Sequence, residues 1–319
     1  MINPIHIDTD SDGINEEKQP SSMANDKDIL SNLNPFEISK QFTKFKKDNR
    51  VLVIPIGFPQ AGKSLLLSSL LHYAIIGKDQ FFRTHPHGDA SGNGPFDYGR
   101  IVLDKMVRTF RSGKFLGSTR MGALDLIGVQ IEPSNTKLQK LNLGFLDLAG
   151  EDIKSIKISE RGAFTEKIDA VFKGIRIDKT PLIFVLITPF DPPGQDHDRE
   201  DALHFDFLNY LRETQSELIP NSKFFIIVSQ WDKNPDNNMS VESYIKEYRP
   251  MMYTYVKNTD VIWSEYSVGE VLSNTVNNVE ISEIMRTNFD YPRRFWYKLY
   301  NICTGKSLNE KGFWEKLFG

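Results

Sequence analysis

A glycine-rich turn between an apolar strand and an apolar helix constrains this chain more than any other part of its sequence. The turn, Gly57-Phe-Pro-Gln-Ala-Gly-Lys-Ser64, matches the pattern G-x-x-x-x-G-K-[ST] at every fixed position. Residues 51–56 before it are β-rich without polar alternation, and residues 64–76 after it are largely apolar. This order predicts a strand covered on both faces, a tight turn and a buried helix.

The composition of the turn is typical of a loop that binds phosphate groups. Its glycines let successive backbone N–H groups point at an anion, and the N-terminus of the following helix adds partial positive charge. In this geometry the Lys63 ammonium bridges the β- and γ-phosphates of a nucleotide, and the Ser64 hydroxyl coordinates Mg²⁺. The predicted nucleotide contacts along the turn are Gly57, Gln60, Ala61, Gly62, Lys63, Ser64 and Leu65.

A second candidate site follows the apolar strand that ends at Asp147. Gly150 lies three residues after this aspartate and is followed by Glu151. A carboxylate at the C-terminal end of a strand can hold the water shell of the same Mg²⁺, and the glycine lets a backbone N–H approach the γ-phosphate. We therefore predict that Asp147 serves the metal and that Gly150 contacts the nucleotide.

The base of the nucleotide is predicted to meet residues at the ends of two later strands. Residues 223–229 form an apolar strand that delivers Asp232 into the following loop. A carboxylate there accepts hydrogen bonds from the N1–H and the 2-amino group of guanine, donors that adenine lacks in that arrangement. Backbone N–H groups around Ser267, after the last strand, can donate to guanine O6. Asp232 and Ser267 are therefore the predicted base contacts.

The order of the predicted elements indicates an α/β fold. Residues 123–132 and 138–147 are predicted as two strands of an antiparallel edge pair, joined by a turn. Helices and strands then alternate, which implies crossover connections and a mostly parallel sheet. The later strands are predicted at 181–188, 223–229 and 261–266, and helices at 101–110, 163–172, 201–218, 241–256, 281–286 and 293–303.

Three regions are predicted along the chain. Residues 1–34 are polar, with too few apolar groups to offset the entropy of ordering, and are predicted to be a disordered tail. Residues 35–305 form the α/β domain, with a less regular insertion at 77–122. Residues 306–319 carry an amphipathic stripe, which either packs on the domain or docks on a partner or a membrane surface. The residues of the stripe are Phe313, Trp314, Leu317 and Phe318.

Composition excludes several classes of function. The 319 residues carry a formal net charge of −3, so no basic field favours nucleic acid. The single cysteine, Cys303, excludes an internal disulfide and a cysteine-rich zinc site, and it fits a reducing cytoplasm. No apolar run approaches the roughly 20 residues that span a bilayer, so no transmembrane segment is predicted.

These motifs, in this order, resemble those of P-loop GTPases of the translation-factor and small-G-protein class, over roughly residues 50–270. The resemblance implies a P-loop NTPase three-layer sandwich with one antiparallel edge strand. It also implies binding of GTP and GDP with Mg²⁺, slow GTP hydrolysis and action as a switch on an unknown protein effector. The stretch from residue 101 to Thr119 further resembles bacterial double-GTPase-type proteins, which act within multi-protein systems. Whether two copies of the chain form a homodimer is left open by the sequence.

The resemblance assigns further residues and shows where this chain departs from the family. It implies a switch threonine before the edge strand, for which Thr119 is the better candidate and Thr84 the alternative; its hydroxyl contacts Mg²⁺. Glu151 stands where the family usually has a water-positioning glutamine, so intrinsic turnover is expected to be slow. Gln230 replaces the lysine of the usual [NT]-K-x-D motif. The predicted catalytic residues are Lys63, Thr119 and Glu151.

Two other functions remain open at this stage: an ATP-using P-loop enzyme in which Asp232 is structural, and a scaffold that keeps its nucleotide without hydrolysing it. An arginine finger is not assigned, although the arginines at 108, 111, 120 and 161 are candidates. Two histidine-containing groups are predicted to be solvated surface rather than metal sites. They are His85, His87 and Asp89, and His197, Asp198 and His204.

Overall fold

The structure is a computed structural model, and the part of the chain that it describes leaves out several of the predicted regions. The described residues are 30, 33–43, 45–57, 61–77, 79–88, 95–115, 124–149, 153, 166–190, 198–236, 238–276 and 279–309. The predictions for residues 1–29, for the stripe within 310–319, and for Gln60, Thr119, Gly150 and Glu151 lie outside these ranges.

Seven strands form the main sheet. Their bounds are Arg50–Gly57 (β1), Phe82–Pro86 (β2), Leu124–Pro133 (β3), Leu141–Leu148 (β4), Leu182–Pro189 (β5), Ser222–Ser229 (β6) and Val261–Glu265 (β7). Their order across the sheet is β2-β3-β4-β1-β5-β6-β7. The five strands β4, β1, β5, β6 and β7 pair in parallel. β3 runs antiparallel to both of its neighbours, β2 and β4. The predicted α/β fold with a mostly parallel sheet is confirmed.

Helices cover both faces of the sheet and complete three layers. Their bounds are Pro35–Gln41 (α1), Lys63–Ile76 (α2), Pro95–Arg111 (α3), Glu166–Asp178 (α4), Asp198–Thr214 (α5), Val241–Tyr248 (α6), Pro250–Val256 (α7) and Asp290–Thr304 (α8), with 3₁₀ turns at Phe45–Asp48, Ser216–Asn221 and Trp231–Lys233. One apolar cluster packs α2, α8 and most of α3 against one face of the sheet. A second cluster packs α1, α4, α5, α6 and α7 against the other face. Within the described ranges, no helix is long and apolar enough to cross a bilayer.

The region predicted as an insertion belongs to the sheet and its covering layer. β2 pairs with β3 from Phe82 to Pro86, so β3 is not the edge strand of the sheet. α3 begins at Pro95, six residues before the predicted start of the helix, and then runs to Arg111. Short strands such as β2 are hard to recognise because Arg83, Thr84 and His85 lack apolar alternation, and pairing with β3 fixes their conformation.

Two predictions for the C-terminal half are wrong for identifiable reasons. The predicted helix at 281–286 lies in a hairpin of Gly269–Val276 (β8) and Val279–Thr287 (β9). The two residues between these strands are Asn277 and Asn278, a pair typical of tight hairpins. The predicted helix at 241–256 is divided at Arg249 (φ −137°), because the proline at position 250 disfavours helical geometry in the preceding residue.

His204 is buried, which corrects its prediction as solvated surface. It lies in α5 with 2% of its surface exposed, and its Nδ1–H donates to the carbonyl oxygen of Glu200 at 2.9 Å. Burial, together with the nearby Arg249 guanidinium, lowers the pKa of His204 to about 4. The imidazole is therefore neutral in the folded protein over most of the pH range.

The protein is expected to lose about 3 kcal/mol of stability between pH 7 and pH 4 through His204 alone. The unfolded chain takes up a proton near the ordinary pKa of 6.5, whereas the folded chain takes it up only near 4, so stability falls as pH falls through this window. The check is urea unfolding at both pH values for the native chain and for His204→Gln, which does not titrate there. An equal loss in both proteins contradicts the assignment.

Candidate nucleotide-binding site

The predicted motifs meet at one edge of the sheet. Gly57 is the last residue of β1 and Asp147 the next to last of β4, whereas Ser229 ends β6 and Ser267 comes shortly after β7. Because these strands are parallel, their carboxyl ends lie along the same edge, where open α/β sheets bind their ligands. The fold therefore collects residues from four distant parts of the sequence into one candidate site.

The turn after β1 has the backbone of a phosphate-binding loop where it is described. Gly62 precedes α2 with φ +80° and ψ 15°, a left-handed conformation that favours glycine. Lys63 and Ser64 open the helix, and Leu65 follows them, half-buried. The first N–H groups of a helix have no carbonyl of their own helix to bind, so they are available to an anion.

Lys63 and Asp147 form a buried ion pair at the centre of this edge. The Lys63 ammonium donates to the Asp147 carboxylate, and their side chains are only 5% and 1% exposed. Each charge compensates the other in a place where a lone charge would be costly. The contact joins the phosphate-binding turn to the predicted metal ligand, two segments that are 84 residues apart in sequence.

The oxygen donors beside Lys63 fit Mg²⁺ that arrives with a nucleotide. The Ser64 hydroxyl and the Asp147 carboxylate are hard oxygen ligands, and Mg²⁺ commonly takes one or two protein carboxylates, with phosphates and waters filling its other positions. No group of three or more His, Cys, Asp or Glu side chains able to hold a metal occurs in the described part of the chain. The Ser64 and Asp147 oxygens therefore fit Mg²⁺ that is also held by phosphates and waters.

Ser229 was not among the predicted site residues, although the structure places it at the centre of the site. Its hydroxyl lies 3.1 Å from the carbonyl oxygen of Ala61 and 3.5 Å from that of Thr188, and the side chain is buried. The hydroxyl therefore ties the end of β6 to the phosphate-binding turn and to the end of β5. Its only sequence signal is its place three residues before Asp232.

Asp232 lies exposed on a short 3₁₀ turn directly after β6. The turn is entered through Gln230, whose backbone is left-handed (φ 57°), and the Trp231 N–H donates to the carbonyl oxygen of Tyr266 at 3.0 Å. The Lys233 ammonium donates to the Gln230 side chain. A basic group, the Lys233 ammonium, therefore lies against the side chain of Gln230 on this turn.

Ser267 lies beside this turn but uses its side chain locally. It is buried, and its hydroxyl oxygen accepts the Gly269 N–H at 3.1 Å. The preceding Tyr266 hydroxyl donates to Ser69 of α2 at 3.0 Å, so the segment after β7 is bonded to the helix that begins at Lys63. A base contact from this segment is therefore left to its backbone.

Other candidates lie away from this edge. Thr84 is in β2, and its hydroxyl donates to the carbonyl oxygen of Ala74, about 16 Å along α2 from Lys63 at the helical rise, so it does not suit a switch threonine. Arg108 pairs with Asp104 on the exposed face of α3. His85 bonds to Glu132, and His87 accepts from the buried guanidinium of Arg50 at 2.8 Å.

Comparisons with known proteins give only distant structural matches. No family model matches the chain, and no curated protein matches it. Among solved structures, the chain is similar to Toc33 from Arabidopsis thaliana in complex with Mg²⁺ and GMPPNP, with a TM-score of 0.37 and 12% identity over 88% of this chain and 98% of that chain. A dimerization-deficient mutant of Toc33 gives a TM-score of 0.34 and 12% identity over 87% and 96% of the two chains. Values this low support no argument about function, which depends on the site residues themselves.

Proposed function

We propose that this protein binds GTP and GDP together with Mg²⁺, hydrolyses GTP slowly and acts as a conformational switch on a protein effector. The observation that carries the proposal is the Lys63–Asp147 pair. It lies between a complete G-x-x-x-x-G-K-S turn and the acidic end of a neighbouring strand, on the same sheet edge as Asp232.

The phosphate groups are proposed to bind by replacing Asp147 as the partner of the buried Lys63 ammonium. When a triphosphate enters, the Lys63 ammonium turns from Asp147 to the β- and γ-phosphate oxygens, while the N–H groups at the start of α2 bind the same anion. Asp147 would then accept hydrogen bonds from waters around a bound Mg²⁺, and the Ser64 hydroxyl would coordinate the same ion. Mg²⁺, when bound, neutralises charge that develops on the β–γ bridge.

The base side of the site supports guanine over adenine. The Asp232 carboxylate is exposed, so it can accept both the N1–H and the 2-amino group of guanine. Lys233 and Gln230 lie next to it on the same turn and hold each other in place. A carboxylate gains nothing comparable from adenine, which presents no such pair of donors.

Slow hydrolysis and action through a partner complete the proposal. Thr119 and Gly150 are proposed to contact the γ-phosphate in the triphosphate state only, and Glu151 is proposed to stand near the attacking water. A carboxylate near phosphate is repelled unless it is protonated or turned toward water or the metal, so the unassisted rate is low. A switch of this kind acts through the order of its loops, which an effector in the cytoplasm reads.

A direct comparison of nucleotides tests the proposal on the native chain. Displacement of a fluorescent GDP analogue by GTP and by ATP, with Mg²⁺ present, is expected to favour GTP by at least about 100-fold, the scale set by losing paired polar contacts. Single-turnover release of phosphate from GTP is expected to follow slowly. Equal or better competition by ATP contradicts the proposal and favours an ATP-using enzyme, and tight GTP binding without phosphate release favours a scaffold.

A further inference from the structure

The hairpin of β8 and β9 starts directly at the base side of the candidate site. It begins at Gly269, two residues after Ser267. Gly269 has φ +117°, and a side chain there would lie 2.0 Å from the carbonyl oxygen of Arg286, so the close approach of the two strands requires glycine. The Asn288 N–H donates to the carbonyl oxygen of Val268 at 3.1 Å. Both ends of the hairpin are therefore fixed to the segment that contains Ser267.

The second strand of the hairpin also pairs with the segment that leaves α3. The Ile284 N–H donates to the carbonyl oxygen of Gly113 at 2.8 Å, and Lys114 forms an antiparallel bridge with Glu283. Ile284 is buried at this contact. This isolated bridge joins the hairpin to a segment from a distant part of the sequence.

A third contact joins the end of the hairpin to the phosphate-binding helix. Phe289, two residues after β9, stacks on His72 of α2 with the ring centres 5.9 Å apart and an angle of 25°. Phe289 also contacts Tyr73 of the same helix at 5.7 Å, and His72 contacts Phe110 of α3 at 5.1 Å. Phe289 is the residue at the N-terminal cap of α8, so this contact lies where the hairpin joins that helix. The hairpin and Phe289 together link the segment after β7, the helix that begins at Lys63 and the end of α3.

We infer that this hairpin is a regulatory arm of the nucleotide site, whose docking on α2 and on Gly113 slows the release of bound guanine nucleotide. The inference rests on the proposed function and adds the regulation of its site. The docked hairpin holds the segment that contains Ser267 at a fixed position relative to α2. A single nucleotide needs that relative position in order to contact this segment with its base and the start of α2 with its phosphates. By linkage, nucleotide stabilises the docked arm and the docked arm stabilises bound nucleotide by the same factor.

The arm is also suited to being displaced. Val271, Leu272 and Met285 are 40%, 45% and 61% exposed, whereas Ile284 is buried. Segments with few buried apolar contacts open at a lower free energy than the rest of the domain. A purely structural hairpin would instead change the stability of the domain without changing nucleotide release.

The test compares dissociation of a fluorescent GDP analogue from the native chain, Phe289→Ala and Met285→Ala. Phe289→Ala removes the contact with α2, and Met285→Ala is its matched control, because Met285 is an exposed apolar side chain of the same hairpin. Release from Phe289→Ala is expected to be faster by roughly 5-fold or more, the lower end of ordinary coupling between sites, with Met285→Ala within about twofold of the native rate. Equal release rates for all three proteins overturn the inference.

A shortened hairpin and hydrogen exchange provide a second measurement. Glu270 and Arg286 are paired opposite each other, so residues 271–285 can be replaced by Asn-Gly, which should accelerate release at least as much as Phe289→Ala. In the native chain, addition of GDP should slow exchange of the Ile284 amide, because nucleotide stabilises the docked arm. Unchanged exchange overturns the inference even if the shortened chain does not fold. A native chain that binds no guanine nucleotide overturns the proposed function as well, whereas tight binding with unaltered release and exchange overturns the arm alone.

Discussion

Replacing Lys63 by methionine is expected to weaken GTP binding by at least about 30-fold while keeping a side chain of similar length. The ammonium is buried, and truncating one partner of a buried, hydrogen-bonded charge pair costs about 2–5 kcal/mol, which is roughly 30- to 5,000-fold in affinity. Titration with a fluorescent GTP analogue measures the loss. Unaltered affinity in a folded Lys63→Met protein would mean that nucleotide binds elsewhere.

The same substitution should also destabilise the ligand-free protein, and the two effects can be separated. Asp147 loses its lysine in a place where it is 1% exposed, so the free energy of unfolding should fall by about 3–5 kcal/mol. Combining Lys63→Met with Asp147→Asn leaves no net charge at this point. The combined variant is expected to regain much of the lost stability in urea unfolding but none of the GTP affinity. Recovery of both would indicate that the first variant failed to bind because it failed to fold.

Replacing Asp232 by asparagine is expected to lower GTP affinity by about 100-fold or more and to raise affinity for xanthosine triphosphate. Hydrogen bonds to a charged group contribute about 1.5–3 kcal/mol each. The neutral asparagine amide offers guanine one acceptor oxygen in place of the two of the carboxylate, and its N–H group meets the 2-amino group, which is also a donor. Xanthine carries an oxygen where guanine has its 2-amino group, and this oxygen can accept the asparagine N–H. Competition between the two nucleotides at equal Mg²⁺ measures the shift.

The matched control for this change is Asp260→Asn. Asp260 is also exposed, and it lies just before β7, at the other end of that strand from the site. Neither change should alter the unfolding free energy by more than about 0.5 kcal/mol, as is usual for surface substitutions. If Asp232→Asn keeps the preference for GTP, Asp232 does not choose the base.

The parts of the site that depend on local sequence could be predicted, and those that depend on long-range contacts could not. The G-x-x-x-x-G-K-S turn carries its backbone requirement in its own residues, and a strand that ends in Asp147 indicates where that carboxylate will lie. The contact of Ser229 with Ala61 requires β1 and β6 to be placed on either side of β5, which no short segment specifies. The left-handed backbone of Gln230, which leads into the turn that carries Lys233, is likewise not specified by a local motif.

The errors in the fold have the same origin. Residues 281–286 are predicted as helix but lie in β9, because β8 and the Gly113 carbonyl offer this segment a backbone to pair with. The break at Arg249 was readable in principle from the proline that follows it. The residues of β2 lack the apolar alternation of a strand, and their extended conformation depends on antiparallel pairing with β3.

The contact between Lys63 and Asp147 bears on how long the empty protein can persist. Many sites for highly charged ligands are left with repelling or stranded charges when the ligand departs, whereas here each of these two groups already has a counter-ion of its own. In the proposed cycle, these two charges therefore stay compensated after the nucleotide leaves. The Asp147 carboxylate also competes with each incoming phosphate for the Lys63 ammonium. The pair therefore lowers the affinity for nucleotide while it stabilises the nucleotide-free protein.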